Sequence, residues 1–209
     1  ALGPFYDLTY YAELPAMVLK LRRTEGKKIV LVGNSAVAFG ADSAKMEESL
    51  RAAGLDYSVC NFGLYGLIGT KAMMDLSLPE LHEGDIAVLI PEQSEHALSL
   101  WSSGEDLWKA IDTDKSLFWR MPAETKGHLL GSYAGYVSQK YRYRKQGIKP
   151  ETTGVYAKSS FNENCDLIYP REYNTLLGGA DSNSPVSFHT EICSAEFTDY
   201  VNAYAAQAA

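Results

Sequence analysis

A serine hydroxyl is a weak nucleophile on its own, and Ser35 stands where a protein could strengthen it. It follows Gly33-Asn34 directly after the unbroken run Ile29-Val30-Leu31-Val32, and small residues follow it. Such a run fits a central parallel strand covered on both faces. A hydroxyl at its carboxyl end can stand exposed in a crevice with loop amides nearby. To attack a carbonyl carbon it needs a base for its proton, an orienter for that base, and donors for the oxyanion. Gly63 and Gly66 lie in a second loop after another apolar run, and glycine lets a backbone N–H approach a substrate without an intervening side chain. Asn34, Asn61 or Gln93 could add a side-chain amide donor.

Bases are scarcer. Of the four histidines, His96 alone follows a strand end closely, and it is the in-chain candidate. His82 lies in a turn beside Glu83, while His128 and His189 fall in the later, irregular part of the chain. Glu92 and Glu95 flank the same crevice as His96. They either orient a base or form a solvated acidic rim, the rim being the simpler reading.

Several better-known motifs are excluded. Gly33-Asn34-Ser35-Ala36-Val37 lacks the second glycine of a GxSxG elbow. Gly33 to Gly40 holds no Gly-Lys-Ser/Thr phosphate loop, and no GxGxxG dinucleotide fingerprint is present. Cys60, Cys165 and Cys193 have neither CxxC nor CxH spacing, so no zinc site is expected. The motifs call for no metal and no cofactor.

In these residues the chain resembles the SGNH (GDSL-like) hydrolases and esterases. Gly33-Asn34-Ser35 stands where that family carries Gly-Asp-Ser, and Asn61-Phe62-Gly63-Leu64-Tyr65-Gly66 matches its Asn-x-x-x-x-Gly loop. The resemblance implies Ser35 as nucleophile and Gly66 as oxyanion donor, with Gly63 as second choice. The family's Gly-x-Asn-Asp block is replaced by Pro91-Glu92-Gln93-Ser94, leaving Gln93 as a substitute for the asparagine. No histidine has an aspartate three residues before it, so the Asp-x-x-His block is absent from these 209 residues. The match covers roughly residues 26 to 95. Thr9-Tyr10-Tyr11-Ala12-Glu13-Leu14-Pro15 and Gly69-Thr70-Lys71 further resemble an uncharacterised bacterial branch whose members often follow an amino-terminal membrane anchor. That implies export, or an anchor upstream of residue 1 on the extracellular face; a cytoplasmic location is the alternative.

Elements that could position these residues alternate along the chain. Residues 1–25 read as an aromatic arm and a short helix covering a sheet edge. Residues 26–95 read as strand, loop, helix, strand, loop, helix, strand. The strands are Ile29–Val32, Tyr57–Phe62 and a third buried run, Ile86–Ile90, with Gly33 to Gly40 as a loop. Asp42 or Ser43 caps the first crossover helix, with Met46, Leu50 and Ala53 at helical spacing, and Gly54 stops it. The expected fold is α/β: a three-layer, flavodoxin-like parallel sheet with helices on both faces, whose ligands bind beyond the carboxyl strand ends. Residues 96–193 read as a large helical and irregular insertion or lid, and residues 194–209 as a helix returning to the core. That helix ends at Ala-Ala without a cap, which suggests a chain continuing past residue 209.

The chain carries a formal net charge of −7, which lacks the electrostatic footprint of a nucleic-acid binder. Its one basic cluster, Lys140 to Lys145, reads as the solvated end of a helix finishing at Gly147. Within these 209 residues no run approaches transmembrane length and none has the pattern of a signal peptide, while the opening at Ala1 without a methionine leaves export open. A Cys165–Cys193 bridge is one outcome if the protein is exported. Fourteen tyrosines favour packed surfaces and sugar-like ligands. Two functions compete: an esterase or O-acyl hydrolase (or transferase) acting on a small-molecule or carbohydrate ester through Ser35, or a non-catalytic module binding a cell-surface glycan or protein.

Overall fold

The computed structural model describes residues 3–92, 96–168 and 193–208. Among them, three parallel strands form one sheet in the order β2-β1-β3. These are β1 (Lys28–Gly33), β2 (Ser58–Gly63) and β3 (Ile86–Ile90). Parallel neighbours need crossover connections. Here α2 (Ser35–Gly40) and α3 (Ser43–Ala52) join β1 to β2, and α4 (Thr70–Ser77) joins β2 to β3.

Period-two alternation divides the sheet's side chains between two faces. On one face Val30, Val32, Cys60 and Phe62 enter the main core with α4 and α1 (Leu14–Arg23). Helix α1 buries Leu14, Met17, Val18 and Leu21, an i, i+3, i+4, i+7 stripe that seats it on β2 and α4. On the other face Leu31 and Val59 meet Val37 of α2, with Leu50 of α3 packed alongside. At the amino ends of the strands Lys28, wholly buried, donates to Asp85 at 2.6 Å and ties the start of β1 to the start of β3.

Several sequence expectations change. Gly33 to Gly40 is not a loop, because Ser35 opens helix α2 with Val37 and Ala38 amides donating to the Asn34 carbonyl. β3 is not buried on both faces: Ile86, Val88 and Ile90 are exposed, and among the described residues α2 and α3 pack mainly over β1 and β2. Of the helically spaced Met46, Leu50 and Ala53, Leu50 of α3 packs against the sheet and the other two are exposed. Cys60, Cys165 and Cys193 are all free thiols, so no Cys165–Cys193 bridge exists. Cys165 is buried beside Glu13, whereas Cys193 is exposed near Thr198.

The region after β3 is welded to the rest. Helices α5 (Gly104–Ala110), α6 (Leu117–Arg120) and α7 (Ala123–Gln146) follow, and α5 packs on α7. Trp108 stacks on Phe118 and Tyr136 and donates to the Leu129 carbonyl at 2.7 Å. Gly147 ends α7 in the left-handed conformation, φ +67°, as a helix C-terminus favours. Lys140 departs from the solvated cluster expected of it. It is buried and donates to Asp112 at 2.7 Å, while Asp112 also accepts from the Tyr136 hydroxyl and the Phe5 and Tyr6 amides. A buried ammonium is tolerable only when paired in this way.

Helix α8 (Ala195–Ala208) lies by the 3-10 turn Leu78–Glu80, with Phe197 and Tyr204 buried and Tyr204 sharing a hydrogen bond with Ser77. Among the described residues no helix is long and apolar enough to cross a membrane.

Candidate functional site

The carboxyl ends of β1 and β2 are shaped by a close approach. A Cβ on Gly33 would lie 2.4 Å from Val37 Cγ2, and one on Gly63 would lie 2.5 Å from Val37 Cβ and 2.8 Å from the Asn34 carbonyl oxygen. The two glycines are register partners, so Val37 rests on both strand ends at once. That contact holds α2 down over the sheet and fixes where its first residue, Ser35, emerges.

Ser35 is half-buried, and its hydroxyl donates to Glu92 Oε1. Glu92 lies two residues beyond β3, also half-buried. Gly66, in the 3-10 turn Gly66–Ile68 after β2, faces this pair: a Cβ there would stand 3.3 Å from Glu92 Oε2 and 3.6 Å from Asn34 Nδ2. Asn34 is 2% exposed, and its Oδ1 accepts from Thr70 Oγ1 at 3.2 Å. That bond fixes the amide so that Nδ2 is left over, and Nδ2 is buried with no hydrogen-bond partner. Unpaired buried donors are rare and costly. The Tyr10 hydroxyl is a second such atom. Burial, then the nearby charge of Glu92, pushes its pKa above that of an ordinary phenol.

The other expected residues fall into place around this group. The Gly63 amide is already committed to Asn61 Oδ1 at 3.1 Å. Asn61 Nδ2 donates to Asp166 Oδ1 at 3.2 Å, so both ends of that side chain serve the structure. Asp166 also accepts from the Ser43 amide and hydroxyl, clamping the irregular segment to the start of α3 and the end of β2. Nothing in the sequence around Asp166 marks this role, since its partners lie more than 100 residues away.

No described histidine is hydrogen-bonded to Ser35 or Glu92. The His96 ring lies 4.5 Å from that of Trp101, His128 Nε2 bonds the Ser102 carbonyl, and His82 is exposed in its turn. Gln93, Glu95 and His189 lie outside the described residues. No group of three His, Cys, Asp or Glu side chains that could hold a metal ion occurs among the described residues.

The arrangement can do three things chemically. Glu92 can accept the Ser35 proton, Asn34 Nδ2 can donate to an anion, and Gly66 keeps side-chain bulk out of the space between them. No protein-family model, curated protein or solved structure matches the chain at a significant level.

Proposed function

We propose that the protein is a serine esterase or O-acyl hydrolase of SGNH type, with Ser35 as nucleophile. The observation that carries this reading is the hydrogen bond from Ser35 Oγ to Glu92, made at adjacent strand ends beside an unpaired buried amide. Glu92 takes the hydroxyl proton as Oγ bonds to the ester carbonyl carbon. The carbonyl oxygen becomes an oxyanion held by backbone amides of Ser35 and Gly66 and by Asn34 Nδ2, which gains the partner it lacks. Collapse breaks the ester C–O bond, and the departing alkoxide takes the proton from Glu92. Water then repeats the sequence on the acyl-enzyme, with Glu92 again accepting a proton, and releases the acid. The three-layer, flavodoxin-like arrangement belongs to the same reading and is supported by helices on both faces of the sheet.

The experiment is covalent labelling with a fluorophosphonate, together with release of acetate from acetylated sugars. Labelling of the wild type and none of Ser35→Ala is the expected result. Equal behaviour of the two proteins in both assays would sink the hydrolase.

Among the described residues no imidazole is hydrogen-bonded to Ser35 or Glu92, and this favours a second reading, a non-catalytic binding module. A carboxylate and a hydroxyl side by side can hold a polar ligand without reacting with it. Retained ligand binding by an unlabelled protein would select this alternative.

A further inference from the structure

A cavity of about 350 Å³ opens between the amino-terminal arm, Tyr65 and the segment after α7, and half of the residues that line it are tyrosines. Volumes of this order are typical of small-ligand sites. We propose that this cleft binds a neutral carbohydrate chain, and, on the hydrolase reading above, that it presents an ester on that chain to Ser35.

Tyr65 and Tyr10 connect the cleft to the strand-end site. Tyr65 lines the cleft and is followed at once by Gly66, which faces Glu92 and Asn34. Tyr10 lines it too and stacks at 6.4 Å on Phe39 of α2, the helix that Ser35 opens. The cleft is thus one residue along the chain from Gly66 and one ring contact away from α2.

The inner wall is held by hydrogen bonds. The Tyr11 hydroxyl donates to Asp106, and the Tyr6 hydroxyl donates to Gln139. The Tyr11 ring meets the Tyr65 ring edge-on at 5.5 Å. The outer wall is open, with Tyr65 36% and Tyr156 54% exposed. These rings offer an apolar face and a polar tip at little entropic cost.

Charge decides the ligand class. Lys109 reaches the cleft with its ammonium already paired to Asp106 at 2.9 Å. Lys149 and Glu151 add one charge of each sign at the rim. A wall so balanced selects neither an anion nor a cation. What suits it is a neutral molecule with C–H faces for the electron-rich rings and hydroxyls for the phenol tips, which describes a pyranose. A proline-rich peptide also docks on aromatic grooves, but it carries no ester for Ser35.

The test is calorimetric titration of the whole chain with cellotriose, xylotriose and tri-N-acetylchitotriose, each neutral, and with decaproline as the competing class. Saturable binding of at least one trisaccharide at millimolar concentration is expected. It should weaken about tenfold or more in the Tyr65→Ala/Tyr156→Ala double variant. Tyr65→Phe/Tyr156→Phe, which keeps the ring faces, should retain most of it, and Tyr141→Ala, an exposed tyrosine outside the cleft, should change nothing. Thermal melting of each variant checks that it is folded. Absence of binding by all three sugars, equal binding by the folded double alanine variant, or binding of decaproline alone overturns the proposal. Ser35→Ala should bind sugar like the wild type, so failure of the hydrolase shows in labelling while failure of the cleft shows in titration.

Discussion

Ser35 and Glu92 are 57 residues apart, the same offset that pairs Ile29 with Ile86 and Gly33 with Ile90 across β1 and β3. Each lies two residues past the last paired position of its strand. The hydrogen bond between them is thus an extension of the parallel register, and a slip of one residue in β3 would move the carboxylate away from the hydroxyl.

Glu92→Gln keeps the shape of the side chain and removes its capacity to accept a proton as a carboxylate. Fluorophosphonate labelling of Ser35 should slow by about a hundredfold or more, with melting temperature nearly unchanged. Labelling at the wild-type rate would remove Glu92 from the chemistry.

The two glycines of the second loop should separate cleanly. Gly63→Ala forces a Cβ to within 2.7 Å of the Ala38 backbone nitrogen and should cost about 1–3 kcal/mol in a denaturant titration. Gly66→Ala meets only the Glu92 and Asn34 side chains at 3.3 and 3.6 Å, so it should fold nearly as well as the wild type. Its deficit should appear in labelling rate instead.

Asp112 makes stability depend on acid. Burial alone would raise its pKa, but the Lys140 ammonium, the Tyr136 hydroxyl and the Phe5 amide outweigh that and hold it at about 2. A carboxylate depressed in the folded state contributes stability above its unfolded pKa of about 4 and loses it as pH falls toward 2. Asp112→Asn should leave Lys140 buried without its counter-charge and cost about 3–5 kcal/mol near neutral pH. The difference between variant and wild type should shrink across that acid window in pH-dependent melting.

Exposure on β3 predicts unequal tolerance within one sheet. Val88→Thr should shift the denaturation midpoint little, since that side chain is 36% exposed. Val30→Ala, at a wholly buried position of β1, should cost about 2–3 kcal/mol. A large loss at Val88 would mean that its face is covered in solution.

Much of the frame was legible in the sequence because its signals are local. Apolar runs gave the three strands to within a residue or two, Asp42 caps α3 by accepting from the Lys45 amide, and Gly147 ends α7. Ser35 was legible as a residue at a strand end. The helix that it opens was not, because Gly33-Asn34-Ser35 reads as a turn until Val37 is seen resting on two glycines from different strands.

What the sequence determined by itself, then, was the alternation of strand and helix and the position of a serine at the first strand's end. These depend on side-chain periodicity and on backbone preferences within a few residues. Tertiary structure alone decided that Glu92 stands beside that serine, that Asn34 Nδ2 is left unpaired, that Asp166 closes on Asn61, and that Ile86, Val88 and Ile90 of β3 stay exposed. Each of those follows from register or burial between segments far apart in the chain, and hydrophobic patterning is blind to which strand a given strand will meet.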